Sequence, residues 1–450
     1  MKPSVYNLYI KQDSGMAIFN TLQKSLARVD TKTHWKLENS PSELSIDQKS
    51  TFQKLGLLVE DDTNELNLFR MHHESILYRA DTFSIALMIT KRCNCKCLYC
   101  YEEGYRECDE FDSEESEFDI LNSRKLIEFI LGMTSAFQQK KVDFSFHGGE
   151  PSLRIDLIRE LTKKIRAALN EAGIEVRFSM VTNGTLIEPE ILGILMKAGI
   201  DRLLFTIDGS AVVHDYRRPF VNGKGTYHVV YENMRNAIEQ GMKVFLGINI
   251  DNHNASTLFP LLEQLASDFK NKENLQLIFA FVTPGKESTS FCDKYCFTQK
   301  DDKCEAMMGL YEKAHSLGLN IAEPVGSPYC SARALTDVIL SPDGNVYKCT
   351  SLAGQEEAFV GSIFDGAERV IKGSSEFVYG WNSYEYTEQC RTCKFLPMCL
   401  GGCIEESILS GRKRTCQKLF FESIINRSVL LRLKQLDIKR SSKQSASNLR

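Results

Sequence analysis

The distribution of cysteines constrains this chain more than any other feature of its sequence. Eleven of the 15 cysteines fall within two regions, residues 93–100 and 330–416. The N-terminus has no apolar core of signal-peptide length, and no apolar run is long enough to span a bilayer. The sequence therefore predicts a cytoplasmic protein whose thiols stay reduced. Clustered cysteines in such a compartment indicate metal or iron–sulfur binding.

The rest of the composition is that of a globular protein. Hydrophobic residues make up 43% of the chain and charged residues 25%, which excludes a wholly disordered or fibrous protein. The formal net charge of −4 gives no reason to expect nucleic-acid binding. A length of 450 residues allows two or three domains.

The apolar pattern divides the chain into three blocks and a tail. Residues 1–80 contain alternating apolar stretches, one of them at 65–71, and a helix near 45–55, which together predict a small α+β domain. Residues 321–438 form a further block, in which 330–420 is rich in cysteine and turns and has little apolar core, so metal sites would have to hold this stretch together. The polar tail, 439–450, is predicted to be disordered.

Residues 81–320 form the block with the clearest pattern. Six apolar runs alternate with helical patterns, which predicts right-handed βαβ units and a parallel sheet. The fold class predicted is α/β, a partial (β/α)6 barrel of the TIM type. Chemistry in such barrels takes place at the carboxyl ends of the strands. Polar tails follow three of the runs there: His147-Gly148-Gly149-Glu150, Thr182-Asn183-Gly184 and Asp208-Gly209.

A dense run of cysteines follows the first predicted barrel strand. Cys93, Cys97 and Cys100 have the spacing C-x3-C-x2-C, while Cys95 interrupts it. Three thiolates on one loop can hold three irons of a [4Fe–4S] cluster and leave the fourth iron open. A zinc site is the alternative, but it would crowd four ligands into eight residues.

Taken together, these motifs resemble those of the radical S-adenosylmethionine (SAM) enzymes, because the cysteine triad and the three polar tails follow successive strands in the same order. The resemblance implies that Cys93, Cys97 and Cys100 bind the cluster and that Tyr99 lies near the adenine of SAM. Further SAM contacts are implied for the amino group (Gly148, Gly149, Glu150), the ribose region (Asn183, Asp208) and the carboxylate (Arg218). Glycine lets backbone approach a ligand closely, and a guanidinium suits a carboxylate.

The cysteine-rich block 330–416 resembles the SPASM domain of radical SAM enzymes that modify peptides and proteins. The resemblance implies two auxiliary [4Fe–4S] clusters, hence three clusters in all. One would be held by Cys390, Cys393, Cys399 and Cys416, and the other by Cys330, Cys349 and Cys403. A two-zinc ribbon is the alternative.

The chain departs from the fullest SPASM pattern at one position. That pattern has a further cysteine shortly before Cys330, but residues 322–329 contain none. The first auxiliary cluster would then have an open iron, a non-cysteine ligand, or a ligand from elsewhere, for which Cys292, Cys296 and Cys304 are candidates.

The resemblance also implies a function and partners. The block 1–80 resembles the winged-helix-like units that bind leader peptides, in which a peptide adds a strand to a sheet edge; a structural cap on the barrel is the alternative. The function expected is that of a maturase that installs a thioether, carbon–carbon or ether cross-link in a ribosomally made precursor peptide. The electron donor expected is a flavodoxin or ferredoxin. No catalytic base stands out. The alternatives are an anaerobic sulfatase maturase and a non-catalytic metal-bound interaction protein.

Overall fold

The structure is a computed structural model that describes residues 1–78, 81–100, 118–269, 273–285, 289–324, 329–382 and 387–447. The N-terminal unit begins with four short strands: β1 (Lys2–Pro3), β2 (Asn7–Gln12), β3 (Gly15–Asn20) and β4 (Leu26–Val29). It continues with α1 (Thr31–Asn39), α2 (Ile46–Lys54), β5 (Leu58–Val59) and α3 (Glu65–Tyr78). Strands β2, β3 and β4 form an antiparallel sheet in that order, and β1 pairs with β5.

Two expectations for this unit have different outcomes. The helix near 45–55 is confirmed as α2, which begins at a capping box in which Ser45 and Gln48 bond each other's backbone N–H groups. The alternating stretch at 65–71 is wrong as a strand-like element, because it forms the start of α3. The buried side chains of α3 are four residues apart, at Glu65, Phe69, His73 and Leu77, which is the spacing of one helix face.

Six parallel strands form the central sheet, and they confirm the predicted partial barrel. In chain order they are β6 (Thr82–Met88), β7 (Lys141–His147), β8 (Glu175–Val181), β9 (Ile200–Thr206), β10 (Lys243–Ile250) and β11 (Leu275–Phe281). Fully buried residues alternate with partly buried ones along these strands. The fully buried set shares one hydrophobic core with the surrounding helices, so the alternate positions face the other side of the sheet.

Eight α-helices accompany these strands in the residues that the structure describes. They are α4 (Ser123–Ala136), α5 (Ile155–Glu171), α6 (Pro189–Ala198), α7 (Ala211–Arg217), α8 (Tyr227–Glu239), α9 (Leu258–Phe269), α10 (Ser290–Tyr295) and α11 (Lys300–Ser316).

The C-terminal region extends the same sheet. Its strands are β12 (Asp337–Leu340), β13 (Asn345–Tyr347) and β14 (Phe359–Ser362). Strand β12 pairs in parallel with β6, and β13 and β14 follow as antiparallel strands, so the sheet has nine strands within the described residues. The cysteine-rich region is therefore joined to the first strand of the barrel by backbone pairing.

After β14, the described part of the chain contains five α-helices: α12 (Ala367–Asn382), α13 (Glu388–Arg391), α14 (Leu396–Cys399), α15 (Ile404–Ser410) and α16 (Lys418–Ser447). Helix α16 includes most of the tail for which the sequence predicts disorder. Within the part of the chain that the structure describes, no helix combines the length and apolarity that crossing a membrane requires.

A second hydrophobic cluster joins the N-terminal unit to the C-terminal region. Leu8, Ile10 and Phe19 of the N-terminal sheet share it with Phe395 and Met398 of the cysteine loop and with α16. The Thr21 hydroxyl donates a hydrogen bond to the Lys394 carbonyl at 2.5 Å. The N-terminal unit is thus packed against the loop that carries the four-cysteine set.

Candidate active site

A cavity of about 370 Å³ lies at the carboxyl ends of the parallel strands. Its wall includes Gly148 after β7, Thr182 and Asn183 after β8, Thr206 at the end of β9 and Asn249 in β10. This volume falls in the range of small-molecule pockets. Its position is the one that the sequence predicts for the chemistry of such a barrel.

Three of the four cysteines in the run 93–100 line this cavity: Cys93, Cys97 and Cys100. These are the three whose C-x3-C-x2-C spacing led to the prediction of a cluster site. Cys95 is only 1% exposed and is not among the described residues that line the cavity. It pairs instead with Phe220 through an isolated antiparallel bridge. The hydrogen bond with Cys93 and burial raise the pKa of the Cys95 thiol. The fold therefore keeps Cys95 off the cavity wall, although Cys95 packs against Cys93 and Cys97.

Backbone hydrogen bonds fix the cysteine loop to the segment that follows α7. The Lys96 N–H donates to the Pro219 carbonyl at 2.8 Å, and the Leu98 N–H donates to the Arg217 carbonyl at 2.9 Å. The same segment carries Arg218 to the cavity wall. The cysteine loop and Arg218 are thus positioned by one set of contacts.

Gly148 and Gly149 lie where the chain leaving β7 passes the chain leaving β6. Gly148 has a φ of +126°, and a Cβ there would lie 2.2 Å from the Thr90 carbonyl oxygen. A Cβ at Gly149 would lie 2.2 Å from the Arg92 carbonyl oxygen. Only glycine permits both close approaches, and it leaves bare backbone on the cavity wall.

Glu150 is completely buried and links the ends of β7 and β8. One carboxylate oxygen accepts hydrogen bonds from the Ser152 N–H (3.0 Å), the Ser152 hydroxyl (2.5 Å) and the Thr182 hydroxyl (2.6 Å). The other accepts from the Asn183 N–H at 2.6 Å. Burial raises the pKa of the Glu150 carboxyl, and these four hydrogen bonds oppose that rise. Contact between Glu150 and an amino group of SAM stays a prediction.

Asn183 connects β8 to the cysteine loop. Its amide nitrogen donates to Asn94 Oδ1 at 2.8 Å, and its amide oxygen accepts from the Thr185 N–H at 2.9 Å. Asn94 in turn donates to the Thr185 hydroxyl at 2.9 Å. The orientation of the Asn183 amide is therefore fixed, with one side of the residue on the cavity wall. Its contact with the ribose of SAM stays a prediction.

The hydroxyl group of Tyr99 joins two of the predicted site residues, Arg218 and Asp208, to Asn249, which the sequence analysis did not single out. It accepts hydrogen bonds from Arg218 Nη1 at 2.7 Å and from Asn249 Nδ2 at 3.1 Å, and it donates to the carboxylate of Asp208. Burial raises the pKa of Tyr99, which keeps it a neutral donor. Tyr99 and Arg218 line the cavity, whereas Asp208 is completely buried behind them.

Sequence reasoning missed the buried ion pair that supports this network. Arg217 is completely buried; it donates to the Asp251 carboxylate at 2.5 Å and to the Asn249 carbonyl at 3.0 Å. Its Nε lies 3.6 Å from the Asp208 carboxylate, and its guanidinium carbon lies 4.7 Å from the centre of the Tyr99 ring. A signal was present, since Asp251 follows a barrel strand as the other polar tails do.

His214 is also completely buried in this region. The Asp208 N–H donates to its Nδ1 at 3.2 Å, so the ring proton is on Nε2, which lies 3.0 Å from the Thr226 hydroxyl. That hydroxyl donates to the Arg218 carbonyl at 2.6 Å. Burial, with a smaller contribution from the positive charge of Arg218, lowers the pKa of His214 to about 4.

We expect the free energy of unfolding to fall as the pH decreases from 6.5 towards 4. In this window the unfolded state, with a His214 pKa of 6.5, binds more protons than the folded state, with a pKa of about 4. One such site gives a slope of at most about 1.4 kcal/mol per pH unit. Urea unfolding between pH 7 and 4.5 measures it. In His214→Gln, the free energy of unfolding should depend less steeply on pH than in the wild type. Equal slopes for the variant and the wild type would contradict the low pKa of His214.

The cysteines of the C-terminal region lie near one another in two sets. Burial, with smaller contributions from the negative charges of Glu405, Cys330 and Cys403, raises the pKa of Cys349 to about 12. These three cysteines are the set that the resemblance assigns to the first auxiliary cluster. Their ligation of iron stays a prediction.

The second set shows the same proximity. Burial raises the pKa of Cys393, with contributions from Cys399 and Cys390, and burial raises the pKa of Cys399, with a contribution from Cys416. Both sets consist of thiols, the donors that iron–sulfur clusters take. Within the described ranges, no three His, Cys, Asp or Glu side chains converge as ligands of a single metal ion do.

The three remaining candidate ligands lie elsewhere. Cys292 and Cys296 pack against Val282, which lines the cavity. Cys304 belongs to the main hydrophobic core.

Comparison with known proteins gives a family match for the barrel. The model of the radical SAM superfamily matches residues 87–264. A serine-type anaerobic sulfatase-maturating enzyme of Klebsiella aerogenes is 21% identical over 344 residues, which cover 72% of this chain and 80% of that protein. The radical SAM cyclopropyl synthase TigE of Paramaledivibacter caminithermalis is 22% identical over 415 residues, which cover 86% of this chain and 82% of TigE.

Solved structures share the fold. A histidine-tagged form of anSMEcpe with bound AdoMet aligns with a TM-score of 0.63 at 17% identity, over 80% of this chain and 95% of its own. SuiB of Streptococcus suis, bound to the precursor peptide SuiA, aligns with a TM-score of 0.55 at 13% identity, over 92% of this chain and 98% of its own. The chain thus carries a radical SAM domain, built on the partial barrel between the N-terminal unit and the cysteine-rich region.

Proposed function

We propose that this chain is a radical SAM enzyme that installs a cross-link in a ribosomally synthesised precursor peptide. The observation that carries the proposal is the composition of the cavity wall. It joins the cysteine triad, Tyr99 and Arg218 of the barrel to Ser351 and Glu405 of the C-terminal region. A peptide in this cavity would lie between the SAM site and the first set of auxiliary cysteines.

The residues present fit SAM and its cluster. Cys93, Cys97 and Cys100 would hold three irons, and the fourth would accept SAM. The bare backbone at Gly148 and Gly149 suits an ammonium group, and the guanidinium of Arg218 suits a carboxylate. When bound, the reduced cluster and SAM supply a 5′-deoxyadenosyl radical that takes hydrogen from unactivated carbon.

The chain itself contributes position and the exclusion of water. The three hydrogen bonds to the hydroxyl of Tyr99 hold its ring on the cavity wall. Apolar side chains form another part of that wall: Val181, Leu204, Phe281 and Val282. These residues keep a reactive group at the strand ends away from solvent.

We assign the C-terminal cysteines to two auxiliary [4Fe–4S] clusters, one on the three-cysteine set and one on the four-cysteine set. A cross-link formed with loss of hydrogen is an oxidation, and an auxiliary cluster is a suitable acceptor for the surplus electron. A flavodoxin or ferredoxin of the cytoplasm is the electron donor proposed.

The N-terminal unit is the proposed site for the leader part of the peptide. Strand β4 is an edge strand of the three-stranded sheet in the described part of the unit. Beside it lies a groove of about 320 Å³, bordered by Leu26 and Ala27 of β4, Thr51 of α2 and Leu433 of α16. An exposed edge offers backbone groups to which an extended peptide can add as a further strand.

Replacing Thr51 by arginine is expected to weaken peptide binding at least tenfold. Thr51 is exposed and lines the groove, so a longer side chain there fills the space without removing core contacts. The measurement is fluorescence anisotropy of labelled leader peptides encoded beside the gene. Gln53→Arg on the same helix adds the same charge outside the groove lining and should bind as the wild type does. If Thr51→Arg bound the leader peptides as tightly as Gln53→Arg does, the leader site would lie elsewhere on the protein.

The proposed function as a whole is tested by anaerobic reconstitution. Iron and sulfide analysis should give about twelve irons per chain for three [4Fe–4S] clusters. With a strong reductant the protein should form 5′-deoxyadenosine, and mass spectrometry should show loss of hydrogen from a precursor peptide encoded nearby. About four irons per chain together with SAM cleavage would mean that the protein holds the SAM-binding cluster but no auxiliary clusters. Zinc in place of iron, without cleavage, would overturn the proposal.

A second candidate is sulfatase maturation, because sulfatase-maturating enzymes are among the relatives. The extent of the structural alignments favours the first candidate: SuiB aligns over 92% of this chain and anSMEcpe over 80%. The discriminating assay offers the enzyme a sulfatase-derived peptide with its target Cys or Ser. Formylglycine in that peptide, with no change in the precursor peptides, would favour the second candidate.

A further inference from the structure

We propose that Glu405 positions the peptide in the cavity by accepting a hydrogen bond from an N–H group of the segment being modified. This inference rests on the proposed peptide-modifying function. Glu405 lies in the first turn of α15 and is the one carboxylate among the described residues that line the cavity.

The two glutamates near the cavity differ in how their carboxylates are bonded. Glu150 is completely buried, and its two oxygens accept four hydrogen bonds from the protein. Glu405 is half-buried; burial raises the pKa of its carboxyl, and the side chain of Ser351, which also lines the cavity, opposes that rise. A carboxylate has about four lone-pair sites for hydrogen bonds. Glu150 is thus used within the protein, whereas Glu405 has acceptor capacity at the cavity.

The location of Glu405 suits a peptide rather than SAM. The polar groups near the cysteine triad are bonded to one another, as with Tyr99 and Arg218, and they belong to the barrel. Ser351 and Glu405 come from the C-terminal region. Because a partly buried carboxylate is stabilised by N–H donors, the chemistry favoured here is a backbone amide or a cationic side chain of the peptide.

Glu405 also lies close to the first set of auxiliary cysteines. Its negative charge is among the causes that raise the pKa of Cys349, as is that of Cys330. Glu405 thus lines the cavity and is also two residues from Cys403, a member of this cysteine set. A carboxylate in this position has two distinguishable roles, a contact to the peptide or a ligand to iron, and we assign it the first.

The test compares Glu405→Gln with Glu406→Gln in the reconstituted full-length enzyme. Glu406 is the next residue of the same helix; it is exposed and accepts a hydrogen bond from Gln417 at 2.9 Å. The substrate is the precursor peptide that the wild-type enzyme modifies in the experiment above. The measurements are iron content, the EPR spectrum of the reduced clusters, peptide-free SAM cleavage, and the ratio of modified peptide to 5′-deoxyadenosine.

We expect Glu405→Gln to leave iron content, EPR spectrum and peptide-free SAM cleavage unchanged and to lower the coupling ratio at least tenfold. Glu405→Asp, which keeps the charge, should restore part of the coupling, and Glu406→Gln should behave as the wild type does. An altered EPR spectrum or iron content in Glu405→Gln alone would make Glu405 an iron ligand and overturn the assignment, as would an unchanged coupling ratio. A wild-type enzyme that modifies no peptide would overturn the proposed function, and this inference with it.

Discussion

Replacing Cys97 by alanine is expected to reduce SAM cleavage to the background level. Cys97 is one of the three thiols on the cavity wall, and two thiolates do not hold a [4Fe–4S] cluster of the three-ligand type. The measurement is 5′-deoxyadenosine formation by the anaerobically reconstituted variant, with iron content determined on the same sample. About four irons should be lost per chain, and the auxiliary clusters should remain.

The matched control is Cys95→Ala, two residues away on the same loop. Cys95 is buried against Phe220 and stands apart from the cavity lining, so this variant should keep its iron and its SAM cleavage. The loss of one small buried side chain should cost about 1 kcal/mol of folding free energy. If Cys97→Ala cleaved SAM at the wild-type rate, the cluster assignment would be wrong. Loss of iron from Cys95→Ala would place a fourth cysteine in the site.

The spacing of the cysteines and the polar ends of the strands were sufficient to predict the barrel and most of the cavity wall. These features are local, because a parallel strand and the turn after it lie within about ten residues of one another. The position of Cys95 off the cavity wall was not predictable in this way. It depends on a backbone bridge to Phe220, which is far along the chain from the cysteine loop.

Contacts between distant segments account for what the sequence did not show. Ser351 and Glu405 reach the cavity in a region that β12 joins to the barrel through its pairing with β6, and no local pattern signals that pairing. The burial of Arg217 likewise follows from Asp208 and Asp251, which end different strands. The stretch at 65–71 was predicted wrongly for a different reason, because its local pattern fits two structures. A short alternation of apolar residues also fits one face of a helix.

Replacing Arg217 by methionine is expected to lower the free energy of unfolding by about 3–5 kcal/mol, because the change leaves buried carboxylates without their cation. Asp251 and Asp208 are both completely buried, and Arg217 lies 2.5 Å from the first and 3.6 Å from the second. Methionine keeps much of the apolar length of the side chain, so the loss reflects charge more than packing. Urea unfolding of the anaerobic protein at pH 7 measures the change.

The control for this variant is Arg235→Met, in which the arginine lost is on the surface. Arg235 pairs with Glu232 at 2.9 Å, and both side chains are well exposed, so its loss should change the free energy of unfolding by at most about 1 kcal/mol. Arg217→Met should also weaken SAM binding, because the guanidinium of Arg217 packs on the ring of Tyr99 and bonds the Asn249 carbonyl. Equal stabilities for the two variants would mean that the ion pairs of Arg217 with Asp251 and Asp208 do not stabilise the fold more than the surface pair does. If Arg217→Met lowered the stability but left SAM binding unchanged, Arg217 would stabilise the fold without contributing to SAM binding. Tyr99 would then be positioned by its hydrogen bonds, including those from Arg218 and Asn249, and not by Arg217.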